Sequence, residues 1–175
     1  MPSLREYINT GENDENRCNG AIWRYWFFTV GSIGHTITSL KLKAWRNNSP
    51  GTFTVHIRAV SGTKPTGSDL TSGTYDGNSL GTSSPGSWVE IPVTELELSP
   101  NTTYAILVST QYDDPNYLKW ALQYGGSPTP DQQIGYSEDS GSSWTAQASN
   151  IAQNLYEVWG NDLVTAALHR FFSMF

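Results

Sequence analysis

A chain of 175 residues, 37% of them hydrophobic, is long enough for one domain with a sizeable core and too short for two ordinary domains and a linker. Only 15% of the residues are charged, and 16 acidic against 10 basic side chains leave a net charge of -6, which repels a phosphate backbone and excludes nucleic acid as an expected partner. Cys18 is the single cysteine, so no intrachain disulfide forms and packing must hold the fold.

Residues 1–20 are polar, carry Arg5, Glu6, Glu12, Asp14, Glu15 and Arg17, and read as an arm with no apolar run fit for a signal sequence. Residues 21–30, AIWRYWFFTV, read as a strand buried on both faces, ended by the turn residues Gly31 to Gly34. From Thr38 to Trp45 the pattern alternates, with Leu40, Leu42 and Ala44 on one face and Lys41, Lys43 and Trp45 on the other, as in a half-exposed strand. After a turn at 47–51, residues 52–60 alternate again, with Phe53, Val55, Ile57 and Ala59 inside and Thr54, His56 and Arg58 solvated. Residues 61–85 are the least apolar stretch and read as a long surface excursion with one short strand at 70–75. Strand signals return at 87–93, 103–110, 117–123, 133–136 and 154–159, separated by Pro, Gly, Asn and Asp. Eight or more short strands at this spacing predict an all-β, antiparallel, jelly-roll-like sandwich over residues 21–160. No apolar run approaches the roughly 20 residues that a membrane-spanning helix needs.

The composition changes at Asn161-Asp162, a cap-like pair. Val164, Leu168, Phe171, Phe172 and Phe175 then recur at helical spacing, with His169 and Arg170 opposite them, which predicts a short amphipathic helix over 161–175. A helix this short is marginal alone in water and must bury its apolar stripe, either over an open end of the sandwich or against a neighbouring subunit.

Ser137-Glu138-Asp139-Ser140-Gly141-Ser142-Ser143-Trp144 fits a single Asp-box, Ser-x-Asp-x-Gly-x-Ser/Thr-Trp. The spacing suits a hairpin in which Asp139 accepts backbone N–H groups, Gly141 takes positive φ and Trp144 folds back over the turn, a structural role. No Gly-x-Ser-x-Gly elbow is present, and His35, His56 and His169 are scattered without metal-ligand spacing, so neither a serine hydrolase nor a zinc site is expected. Among the carboxylates that glycoside cleavage would need, most lie in loops and only Glu90 and Glu157 fall within strands, so the chain is expected not to be an enzyme. No cofactor is expected; Asp113, Asp114 and Asp131 offer oxygens for a structural calcium, but without EF-hand spacing. Seven Trp and nine Tyr exceed what one core of this size needs. Trp45, Trp88, Tyr117, Trp120 and Tyr124 are the candidate rings for stacking on a sugar or docking a partner, against the plainer reading that such rings pack beneath loops.

The segments ITSLKL at 37–42, PGTFTVHIR at 50–58, PTGSDL at 65–70, LSPNTTYAI at 98–106 and YEVWG at 156–160 give the chain a resemblance to small β-sandwich proteins of tailed phages and environmental microbial genomes. The resemblance covers about residues 22–160 and implies a virion structural or adhesive role, with no catalytic residues. On it rests the expectation of a non-enzymatic virion protein, a capsid decoration or a head or tail fibre component. Such a protein is assembled in the host cytoplasm and held through its terminal segments to a capsid or tail protein or to copies of itself. The alternative is a carbohydrate-binding module or surface adhesin, extracellular and recognising cell-surface glycans through exposed rings.

Overall fold

The computed structural model describes residues 1–125, 133–147 and 152–163. Thirteen strands follow one another along these residues: β1 (Ser3–Ile8), β2 (Asp14–Cys18), β3 (Trp23–Thr29), β4 (His35–Asn47), β5 (Thr52–Ser61), β6 (Lys64–Asp76), β7 (Ser87–Leu98), β8 (Thr103–Thr110), β9 (Tyr117–Tyr124), β10 (Ile134–Ser137), β11 (Thr145–Ala146), β12 (Ala152–Asn154) and β13 (Tyr156–Asp162). A 3-10 turn at Gly77–Ser79 links β6 to β7, and there is no α-helix among the described residues.

The strands form two antiparallel sheets. The first runs β1-β13-β4-β9-β12, with β7 also on β4 and β2 also on β9; the second runs β11-β10-β3-β8-β5-β6. Both turn alternate side chains inward onto one core. Ile37, Leu40, Leu42, Ile91, Leu118, Trp120 and Val158 come from the first sheet, and Trp26, Phe28, Phe53, Val55, Ile57, Ile106 and Val108 from the second. Ile37 and Leu40 are three residues apart, a spacing that strict alternation forbids on one face. A register shift against β13 resolves it: Trp159 and Gly160 face Ser39 and Ile37, which leaves Thr38 as one extra residue on β4. Cys18 is buried in the same core, and burial pushes its thiol up to about 12, so it acts there as a small apolar group.

Several expectations change on this frame. The polar arm over 1–20 is built into the first sheet, β1 pairing β13 and β2 pairing β9. The surface excursion over 61–85 is largely the 13-residue strand β6, which contains the expected strand at 70–75 and pairs β5 on either side of an irregularity at 67–70. Its polar composition is that of an edge strand: β5 lies on one side, and Thr71 reaches the Thr94 carbonyl at 2.5 Å across the sandwich margin. Asn161 and Asp162, expected to cap a helix, continue β13 opposite Thr36 and His35. The helical stripe of Val164, Leu168, Phe171, Phe172 and Phe175 lies outside the described residues.

Trp120 is fully buried among core side chains of both sheets, and its indole N–H donates to the Leu155 carbonyl at 2.7 Å. Replacing it by Ala is expected to cost about 3–5 kcal/mol, from lost transfer energy and the cavity left behind. Urea denaturation measures this directly; a loss below about 1 kcal/mol would contradict its place in the core.

Candidate functional site

The five candidate rings do not form one platform. Trp120 shares the inward face of β9 with Leu118 and Leu122, because an odd separation from Tyr117 puts it on the opposite side of the strand. Trp45 points outward from β4 as its register requires, yet is only 2% exposed, packed with Ala121 and Leu155 and flanked by Trp88 and Ile8. The Lys119 ammonium lies 5.7 Å from the Trp45 ring and 5.8 Å from that of Tyr117, and the Arg17 guanidinium covers Tyr117 at 5.0 Å. Trp88 and Tyr117 are half-buried, and Tyr124 is the one candidate ring that stands clear, at 53% exposure.

Two depressions flank β2, one on this outer face of the first sheet and one at the margin between the two sheets, where Leu122, Ile134 and Ala152 line it. One, of about 180 Å³, has Trp45 and Pro85 as apolar wall and Glu12, Asn13, Asp14 and Glu15 as polar wall. The other, of about 190 Å³, shares Asp14 and Glu15 and continues past Tyr124 and Gln147. The Ser84-Pro85 turn closes on β4 because Gly86, at φ +79, carries no Cβ; an added Cβ would sit 2.5 Å from the Ala44 carbonyl oxygen. The carboxylates are held in place. Glu12 pairs with Lys43, whose hydrogen bond holds its carboxyl below the usual range, and Glu15 accepts from Lys119 at 3.0 Å and Arg17 at 3.2 Å. Asn13 clamps Tyr124 from both sides, donating to its carbonyl at 2.9 Å and accepting from its N–H at 2.7 Å. Three cations thus face three carboxylates, leaving an acceptor-rich groove with little net charge.

The outer face of the second sheet carries a different constellation, which sequence reasoning missed. His56, read as solvated, is 7% exposed. Its Nδ1 lies 2.8 Å from Asp69 Oδ2, its Nε2 lies 2.9 Å from Ser109 Oγ, and Trp23 stacks on its ring at 5.0 Å and 14°. Asp69 Oδ1 also accepts from Arg58 at 2.6 Å. The three groups come from adjacent strands β8, β5 and β6, and a register shift in β6 between the partners of Ile57 and Ala59 brings Asp69 to them. Burial pulls the His56 pKa below 6.5 despite Asp69, which pulls it up. Burial alone would raise Asp69, but the hydrogen bonds from Arg58 and His56 outweigh it and hold the carboxyl low. Beside them sits the Asp-box hairpin. Asp139 accepts from the Ser143 N–H at 2.8 Å, from its hydroxyl at 2.6 Å and from the Ser137 hydroxyl at 2.7 Å, with Gly141 at φ +82. Trp144 packs edge-on against Tyr25 at 5.4 Å and Trp23 at 6.4 Å.

The remaining candidates are placed separately. His35 is buried against Glu6, 2.9 Å from Oε2, and ties β4 to β1. Glu157 accepts from Asn9 and the Trp159 indole, while Glu90 accepts from Ser39. Among the described residues no group of three or more His, Cys, Asp or Glu is placed to hold a metal ion, and Asp131 lies outside them.

No protein-family model matches this chain, and no curated protein is significantly similar to it. What the described residues define is an all-β protein of two antiparallel sheets, with two acceptor-lined depressions on either side of β2 and a Ser-His-Asp chain on the outer face of the second sheet.

Two titrations follow. The Asp139 carboxyl, held by Ser143 and Ser137, is lowered to about 2, so its side-chain carbon should titrate by NMR near that value; a midpoint near 3.8 would mean the hairpin bonds are absent in solution. Because the folded His56 ring titrates below 6.5, only the unfolded chain takes the proton just under that pH. Its contribution to stability is complete above about 6.5 and declines as pH falls. Thermal midpoints of the natural chain should therefore drop more between pH 7 and pH 5 than those of His56→Gln; equal slopes would refute the assignment.

Proposed function

We propose that the protein is a glycan-binding module that holds a short, extended, uncharged saccharide across β2, from the depression at Trp45 past Asp14 to the depression at Tyr124. The observation that carries this reading is the pair of adjoining depressions sharing Asp14 and Glu15. Each is smaller than the roughly 300–1,000 Å³ of a small-molecule pocket, and only the two together reach that range, which favours a chain of linked units that crosses β2 over a compact ligand. The walls supply what sugar hydroxyls need: fixed carboxylate and amide oxygens as acceptors, beside apolar surface for ring faces. Charge argues against the other classes. With Lys43, Lys119 and Arg17 already paired to Glu12 and Glu15, neither a cation nor an anion gains a strong field here. Trp45 contributes as a packed floor rather than a free stacking ring, and Tyr124 is the exposed ring at the far end. Display of this module on a virion or a cell surface, as the resemblance implies, belongs to the same proposal and adds no residue to the groove.

The test is migration in native gels containing soluble neutral polysaccharides, an α-glucan, a β-glucan and a galactan. At least one should retard the protein. Asp14→Ala, which removes the carboxylate common to both depressions, should weaken that retention about tenfold or more, as loss of a charged hydrogen-bond acceptor implies. Tyr112→Ala, an exposed ring with no part in the groove, should leave it unchanged. Retention by none of the three, or retention indifferent to Asp14→Ala and Tyr124→Ala, would remove the reading.

A further inference from the structure

We propose that Ser109 is an activated nucleophile that takes the acyl group of small acetyl-type esters, with His56 as its general base and Asp69 as the residue that positions the ring. Three observations converge on it. The distances, 2.9 Å from Ser109 Oγ to His56 Nε2 and 2.8 Å from His56 Nδ1 to Asp69 Oδ2, are those of a nucleophile, base and orienting carboxylate. The bonding network also fixes the tautomer. Asp69 is shared with Arg58 and only accepts, so the proton of neutral His56 sits on Nδ1, Nε2 offers its lone pair, and the Ser109 hydroxyl donates to it. Finally, the ring is kept neutral by burial, the state a general base needs near neutral pH.

The step balances without a further reactant. Ser109 Oγ bonds to the carbonyl carbon and its proton passes to His56 Nε2; the bond to the leaving alcohol breaks and its oxygen takes that proton. Water, deprotonated by the same nitrogen, then cleaves the acyl-serine to the free acid and restores the hydroxyl.

Two features of the fold set the substrate and the rate. Ser109 is 8% exposed and Trp23 lies over His56, so only a small acyl group reaches Oγ. Strand β8 is paired on both sides, with β3 and with β5, which commits its backbone N–H groups to the ladder instead of to an oxyanion. Loss of one oxyanion donor lowers turnover about 10²–10³-fold. Acylation is therefore expected to outlast its turnover, and a covalent adduct is the natural readout.

The experiment uses the folded full-length chain with 4-nitrophenyl acetate and, separately, a fluorophosphonate, followed by peptide mass mapping. The expected result is an adduct on Ser109 and nitrophenolate release that falls at least tenfold in Ser109→Ala with an unchanged thermal midpoint. Should Ser109→Ala fail to fold, the mapped position of the adduct in the natural chain decides alone. Asp69→Asn is read by the pH profile of labelling. The groups facing His56 are Asp69 on β6, Ser109 on β8, Trp23 on β3 and Arg58 on its own strand; without the carboxylate the acid limb should move to lower pH, which a merely structural role would not produce. No adduct on Ser109 in the folded protein, an adduct only in denaturant, or release unchanged in Ser109→Ala would overturn the proposal. The two depressions share no residue with Ser109, His56 and Asp69, so failure of glycan binding leaves this result untouched.

Discussion

The interlocking of β4 with its neighbours is the constraint on which the rest of the structure depends. This 13-residue strand pairs with β7 along one edge, and with β13 and then β9 along the other, so three strands take their register from it. A one-residue slip would send Leu40, Leu42 and Ala44 to the outside and Lys41 and Lys43 into the core, a cost no strand in the sheet could offset. With no disulfide available, this coupling of register to burial is what makes the fold specific. The extra residue of β4 at Thr38, opposite Trp159 and Gly160, is the device that lets one strand serve both of its ends. It returns His35 and Ile37 to the buried side, where His35 meets Glu6 and fastens β1 at the sheet margin.

Much of the first sheet's outer face is covered by this arrangement, although no third layer exists among the described residues. Trp45, Trp88, Ala121 and Leu155 pack together there, and Lys41 lies 4.3 Å from the Trp159 ring as Lys119 does over Trp45. The long lysine stems shield the rings while their charged ends pair with carboxylates. A face of this kind serves both purposes at once. It keeps large apolar side chains out of water without another layer of backbone, and it fixes the carboxylates as a rigid set of acceptors along a groove.

Those β4 pairings also show why part of the fold was legible in the sequence and part was not. Alternation located β3, β5, β8 and β9 within a residue or two, because each carries an unbroken apolar face. It caught only residues 70–75 of β6, whose Thr71 and Gly73 give no apolar signal, and it started β4 three residues late, since the extra residue at Thr38 interrupts the period. The strands at residues 3–8 and 14–18 were hidden for a related reason: they contribute little to the main core beyond Cys18, and what holds them is backbone pairing plus ion pairs such as Glu15 with Lys119. For the site the limit was different. That Trp45 and His56 leave the inner faces was readable, but their burial was not, because it depends on which strands become neighbours. Ser109, His56 and Asp69 are 53 and 13 residues apart, on strands whose order no local pattern encodes.

The second sheet's outer face adds a linkage between the turn and the chemistry. A histidine that is 7% exposed on a sheet face must satisfy both ring nitrogens or lose stability, and here a carboxylate and a hydroxyl do so. Packing alone explains the contacts. It does not by itself require that the carboxylate take Nδ1 and the serine Nε2, the arrangement that directs the lone pair at the hydroxyl. The position of Trp23 is also set from outside the triad, because the Asp139 bonds fold the hairpin and the hairpin lays Trp144 and Gly141 against Trp23. An added Cβ at Gly141 would lie 3.0 Å from the Trp23 ring, so the hairpin has little freedom to withdraw while that ring stays stacked on His56. The Asp-box turn thus holds in place the ring that covers His56, which ties the hairpin's hydrogen bonds to the exposure of that histidine.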